Sequence, residues 1–380
     1  MRHQDSIFCH FLKVIPRYRF ERIVAEHQGD YRVRDLRCWD QFVSLSYAQL
    51  TGCDSLRELE SGFNTHAERH YHLGCNNVKR STLADANARR PVAIYESLFG
   101  WLLGKALPSD YAAKDALLLI DSSTMPLNQK LFDWAEFRSK KSGVKLHLVY
   151  DPNADLPTYF TLTPAKKHDM KEVADFPITP GADYVFDRAY NAYAWWQELQ
   201  NKGCRFVCRL KKNAKFTFEQ WREPQKENGC DSVLSDDLIQ LHDQAYQGRL
   251  RRILYHCPIK DKRLLFVTND LTSPALEIAE LYKKRWQIEL FFKWIKQNLR
   301  IKKFLGTSEN AVKIQIIIAL ISYLILRILQ QNLPLKTSLK SLTDRLKANI
   351  FQRKTILHLF KPPDSVKNIS GLEQIKMEGI

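Results

Sequence analysis

The spacing of apolar positions changes twice along the chain, and the changes mark its organisation. Residues 1–110 follow the helical period, with candidate helices at 5–14, 17–26, 38–51, 55–62, 66–72 and 79–90. The fourth opens with Ser55-x-x-Glu58, the pattern of a capping box. After Pro108 the texture turns to strands. Residues 116–120 (ALLLI) form a short continuous apolar run, as expected of a strand buried on both faces, and deliver Asp121 at its end. Residues 145–150 (KLHLVY) alternate, and 157–163 follow the turn-forming DPNAD. A brief helix at 169–176 precedes a strand at 184–186 that ends in Asp187; helix 192–201 and strand 204–210 come next.

The regular pattern is interrupted over 211–262 and regains strand-like runs at 252–257 and 264–268. Residues 281–300 then predict one long helix, since the stretch contains no Gly or Pro. On it Leu281, Ile288, Phe292, Ile295 and Leu299 form the face that buries. Tyr282, Arg285, Glu289 and Lys296 fall within an arc of about 60° along the edge of that face. Trp286, Leu290 and Trp294 make a second apolar strip, expected to pack on the interrupted region or on later helices. Two more helices (311–329 and 336–346) and a basic tail with Lys361-Pro362-Pro363 complete the chain.

Charge changes this picture more than composition does. Lys and Arg number 58 against 42 Asp and Glu, a formal net charge of +16 spread over the whole length, which suits a large polyanion. The eight cysteines are scattered with no C-x-x-C pair, and the first residues lack the uninterrupted apolar core of a signal peptide, so reduced thiols in a cytoplasmic protein are expected. The apolar run 314–329 is broken by Gln315, Ser322 and Arg327 and is too short to span a bilayer; a buried helix explains it and no membrane partner is expected. His66 and His70 share a helix face near Cys53 and Cys75, but the second close cysteine of a zinc finger is absent. The segments around 66–72 and 79–90 look like a helix-turn-helix, with Lys79, Arg80, Arg89 and Arg90 available to phosphates; a plain helical bundle with a basic face fits the same residues.

The candidate chemistry lies in Asp121, Asp187 and Glu289, two at strand ends and one on a rigid helix. Two-metal phosphodiester chemistry needs carboxylates for hard ions and no His or Cys. Each acid has an ordinary alternative: a strand-end Asp capping a turn, or Glu289 paired with Lys293 along its helix.

Tyr282-x2-Arg285-x3-Glu289-x6-Lys296 resembles the YREK box of the DDE insertion-sequence transposases of the type-four group. The Asp121 context (LLLIDSST), KSGVKLHLVYD and the DRAY context of Asp187 precede it in that family's order, with 66 residues between the two Asp and 102 from Asp187 to Glu289. Ala189 stands where the family often has Gly. The resemblance implies an α/β chain: a ribonuclease H-like catalytic domain over 111–305, first and fourth strands side by side, with a β-rich insertion at about 211–262. A helical DNA-binding region (1–110) and a helical C-terminal region (306–380) would flank it. It implies Asp121, Asp187 and Glu289 as catalytic ligands of two Mg2+ ions, with Mn2+ able to substitute. Tyr282, Arg285 and Lys296 would hold phosphates of the cleaved strand, joined as DNA contacts by Arg188 and, for a flipped base, Trp221 in the insertion. The partners implied are double-stranded DNA, both insertion-sequence ends and target, and a second copy in a homodimer, within the cytoplasm and at the nucleoid. A same-fold nuclease without joining activity and an inactive or regulatory DNA-binding protein are the alternatives.

Overall fold

The structure, a computed structural model, describes residues 5–360 apart from 129–130, 133, 135, 139–140, 212, 223–231, 259–260 and 335. Cys230 and the basic tail from Lys361 lie outside the described residues. The helices α1 (Ile7–Leu12), α2 (Arg17–Glu26), α3 (Cys38–Thr51), α4 (Leu56–Asn64), α5 (Ala67–Leu73), α6 (Arg80–Arg89) and α7 (Ala93–Ala106) come first. Ser55 Oγ caps α4 by accepting from Glu58 N as its sequence predicts, but Glu58 reaches back to Asp54 N rather than to the Ser55 N of a capping box. Helix α7 is the one that the sequence pattern does not single out, because its mostly apolar residues blur the helical period.

The connection from α5 to α6 departs from a helix-turn-helix. Residues 74–79 join them, longer than the three- or four-residue turn of that motif. Gly74 ends α5 in the left-handed region, and Asn64 then holds the chain extended through two bonds with Val78.

The sheet is built from β1 (Leu117–Leu127), β2 (Glu136–Arg138), β3 (Lys141–Asp151), β4 (Leu156–Pro164), β5 (Asp183–Phe186), β6 (Arg205–Arg209), β7 (Phe216–Arg222), β8 (Val233–Leu241), β9 (Leu250–Cys257) and β10 (Lys262–Thr268). Among the described residues its order is β2-β3-β1-β5-β6-β10-β9-β8-β7, with β4 also paired to β3. Strands β1 and β5 are parallel neighbours, the adjacency the resemblance implied. Helices α8 (Asp169–Glu172) and α9 (Tyr193–Asn201) connect the strands around β5. The β-rich interruption extends the core sheet directly, since β10 pairs with β6.

Both faces of β1 are covered. Leu117 and Leu119 join one apolar core with the later helices, while Leu118 and Ile120 join another beneath α9. Unlike its expected form, β1 does not end at Asp121: its pairing with β5 stops at Ile120, whereas its pairing with β3 continues to Leu127. Asp121 therefore stands where the strand loses one neighbour but keeps the other.

The expected single helix at 281–300 is two: α10 (Ala275–Lys284) and α11 (Trp286–Asn298). At the junction Arg285 N bonds Tyr282 O and Ile288 N bonds Arg285 O, a local tightening to three-residue spacing that needs no Gly or Pro. The chain then runs through α12 (Glu309–Gln331) and α13 (Leu339–Ala348). α12 is long and apolar enough to cross a membrane, but 83% of its apolar window is buried inside the protein, which makes it a core helix. It packs against α3, α6, α7 and β4. The seven cysteines among the described residues are unpaired and buried.

Candidate active site

Asp121 and Asp187 each follow the last paired positions of two adjacent parallel strands, Ile120 opposite Phe186. Parallel neighbours lie about 4.8 Å apart, so the two carboxylates leave the sheet side by side. Each is oriented by its own next residue: Asp121 Oδ1 accepts from Ser122 N at 2.8 Å, and Asp187 Oδ1 from Arg188 N at 2.7 Å. Glu289 arrives from α11, whose apolar stripe is buried as the sequence predicts. Its partner is Arg285 rather than Lys293: Arg285 Nη2 donates to Glu289 Oε1 at 2.6 Å. The other guanidinium nitrogen, Nη1, donates to Asp121 Oδ2 at 2.9 Å. One arginine thus spans an acid on the next turn of its own helix and an acid 164 residues away on β1.

The electrostatics follow from that crowding. Burial pushes the Asp121 carboxyl up to about 6; Arg285 and the Ser122 N–H pull it down, and Glu289 and Asp187 push it up again. Three carboxylates with no His or Cys suit a hard divalent ion, and the guanidinium shows that the space between Asp121 and Glu289 accepts positive charge. Among the described residues no three His, Cys, Asp or Glu side chains form a finished ligand set, with Arg285 lying between two of the acids.

The remaining predicted residues divide. Lys296 donates to Ser123 Oγ at 2.5 Å, which brings its ammonium beside β1 just past Asp121. Tyr282, expected on the open edge, is only 8% exposed; its ring packs on Phe266 at 4.7 Å and its hydroxyl, pushed up to about 12 chiefly by burial, neighbours Arg285. The tightening at Arg285 turns it inward from the line of Glu289 and Lys296. Arg188 is exposed next to Asp187. Trp221 is 65% exposed on the outermost strand β7 rather than packed in a small core. Trp294 packs on Tyr323 as expected, whereas Trp286 and Leu290 are half exposed. Lys79, Arg80 and Arg89 are exposed at the start and end of α6, far along the chain from the acids. Arg90 is not available to phosphates: it is buried, bonded to Gln41 Oε1 at 3.1 Å and to Leu36 O. His70 stacks on Phe63 and bonds its carbonyl, and His66 packs on Phe351.

One polar cluster escapes the sequence reading. Asp169 Oδ1 accepts from Lys145 Nζ at 2.9 Å and from Ser122 Oγ at 3.1 Å, behind Asp121. His147, fully buried, lies 3.4 Å from the same oxygen without an aligned hydrogen bond and bonds Thr163 Oγ1 at 2.9 Å. The signal was in KLHLVY, where the alternation places Lys145 and His147 on one strand face; only the fold brings Asp169 to meet them.

The family model "Transposase DDE domain" matches residues 112–325, and "Domain of unknown function (DUF4372)" matches residues 3–76. "Putative transposase y4zB" of Sinorhizobium fredii is 37% identical over 286 residues, 74% of this chain and 80% of that protein. "Probable transposase for insertion sequence element IS5377" of Geobacillus stearothermophilus is 30% identical over 212 residues, 56% of each chain. A solved piggyBac transposase synaptic complex with hairpin DNA aligns with a TM-score of 0.47 and 11% identity over 96% of this chain and 84% of that one. With the family model spanning the sheet, all three acids and Arg285, the chain belongs to the DDE transposases.

Proposed function

We propose that this transposase belongs to the YREK-box group and has a ribonuclease H-like catalytic core. In this reading it binds the terminal inverted repeats of its own insertion sequence, hydrolyses the 3′-phosphodiester, and uses the freed 3′-OH for excision and strand transfer by cut-and-paste. The observation that carries it is that Arg285 bridges Asp121 and Glu289, while Asp187 follows the strand that runs parallel beside that of Asp121.

Asp121, Asp187 and Glu289 would hold the metal. Two Mg2+ ions, or Mn2+ in their place, would supply an activated attacking oxygen and a stabilised leaving oxygen. Arg285 and Lys296 would contact phosphates beside the scissile bond, with Tyr282 steadying Arg285 from below and Arg188 flanking Asp187. Trp221 is exposed enough to stack on an unpaired base. Lys79, Arg80 and Arg89 would meet duplex phosphates on the helical region, and pairing two ends calls for a homodimer.

Incubating the protein with Mg2+ and labelled end DNA tests this. Joined products are expected; cleavage without joining would make it a nuclease, and end binding without any cutting in Mg2+ or Mn2+ would make it a regulator.

A further inference from the structure

Beyond the acids, α11 ends in a cavity of about 360 Å3 framed by three parts of the chain: the end of α3, the end of α11 with the residues after it, and α13. Four cations line it, Lys296, Arg300, Lys302 and Lys347, and no Asp or Glu does. Asp54 lies outside the lining, 3.3 Å from Arg300 and 2.7 Å from Lys303, and so offsets part of this charge. Burial lowers the ammonium of Lys296, and Lys302 lowers it further; burial, Arg300 and Lys340 do the same to Lys347 against the pull of Asp344. Such mutual repulsion is relieved by an anion. The C-terminal end of the α11 dipole favours Lys296, in its last turn, and Lys347, which donates to Asn298 O at 2.5 Å; Arg300 and Lys302 lie beyond the helix end.

The cavity is built rather than incidental. The irregular backbone after α11 is clamped by two buried glutamines from opposite ends of the chain. Gln49 Oε1 accepts from Arg300 N at 2.7 Å, while Gln315 Nε2 donates to Arg300 O at 2.7 Å and Lys303 O at 2.8 Å. Gly52, at φ +83°, lets the Arg300 guanidinium lie against its backbone, where a Cβ would stand 2.8 Å from Nη2.

Lys296 links this cavity to the acids. Seven residues of helix separate it from Glu289, about 10 Å of rise, and one strand of duplex carries a phosphate every ~3.4 Å of axis.

We propose that the cavity is a phosphate subsite that takes a backbone phosphate of the cleaved DNA strand about three nucleotides from the scissile bond. This rests on the transposase reading and gives α3 and α13 a direct role in holding the strand at the catalytic site.

The test is a binding scan with duplexes carrying the inverted repeat found beside the gene. Each duplex has one neutral methylphosphonate linkage, placed one to six positions from the cut, and binding is read by anisotropy in EDTA over a salt series. Wild type should lose roughly tenfold at one or two positions near the third. Lys302→Ala and the double variant Arg300→Gln/Lys302→Ala should bind unmodified DNA more weakly. Their salt slope should fall by about 0.9 for each phosphate no longer neutralised, and they should be indifferent to the modification at that position. Melting curves confirm that the variants fold. A flat scan in wild type, or variants as sensitive as wild type, overturns the subsite; a flat scan with inorganic phosphate binding by calorimetry would make it a free-anion site and overturn it equally. Because no cleavage is read, a protein that shows the position dependence but never cuts sinks the transposition reading and leaves the subsite standing.

Discussion

Arg285 donates to Asp121 at 2.9 Å although 164 residues separate them along the chain. The same guanidinium holds Glu289. A cation supplied by the protein therefore sits where cations of the reaction would compete for the same oxygens. Arg285→Ala should tighten Mn2+ binding roughly three- to tenfold by calorimetry, since a partly buried ion pair no longer opposes it, while weakening end-DNA binding. Unchanged or weaker Mn2+ affinity would show that the arginine organises the acids rather than competing for them.

Asp121→Asn keeps the shape of a side chain that accepts from Ser122 N and removes its charge. Cleavage of labelled ends should disappear in both Mg2+ and Mn2+, with end binding within a few-fold of wild type. Residual cutting at more than about a hundredth of the wild-type rate would remove Asp121 from the metal site.

His147 predicts an acid limb of stability away from the acids of the site. Burial pushes its imidazole down to about 4 in spite of Asp169 and Glu172, against about 6.5 in an unfolded chain. The unfolded state thus binds the extra proton. The contribution is complete above pH 6.5, is lost as the pH falls towards 4, and levels off below, a total of about 3 kcal/mol. Urea unfolding across pH 3.5–7.5 should show this fall, and His147→Gln should flatten it; an equal slope in the variant would assign the loss to other groups.

Gly52→Ala confronts both a left-handed backbone and the guanidinium of Arg300. Destabilisation of about 1–2 kcal/mol is expected from the backbone alone, read as a lower urea midpoint at unchanged slope. A neutral result would show that the turn relaxes and that Arg300 has room to move.

Much of this was open to reading from the residues. ALLLI announced a doubly buried strand, and Leu117 to Ile120 do divide between two cores. Ser55 and Glu58 announced a helix start, and the stripe from Leu281 to Leu299 announced the buried face of the acid-bearing helix. These signals are local, carried by residues within a turn or two of each other. What stayed hidden depends on distant partners. Strand neighbours came only through resemblance, and Asp169 meets Lys145 and Ser122 only after folding. The break at Arg285 leaves no composition signal because its dihedrals remain helical. Trp286 and Leu290 look like core residues by type, and nothing local says that each stays half exposed.

The position of α12 has a consequence for how the protein is made. Residues of α3, α6 and α7 complete their packing against a helix that leaves the ribosome only after the whole sheet has been made. Until then their apolar faces have no permanent cover, so the nascent chain is a client for chaperones and a candidate for aggregation when translation stalls. Splitting the gene between the helical region and the sheet would on this account yield two insoluble halves, recovered only when both are produced together.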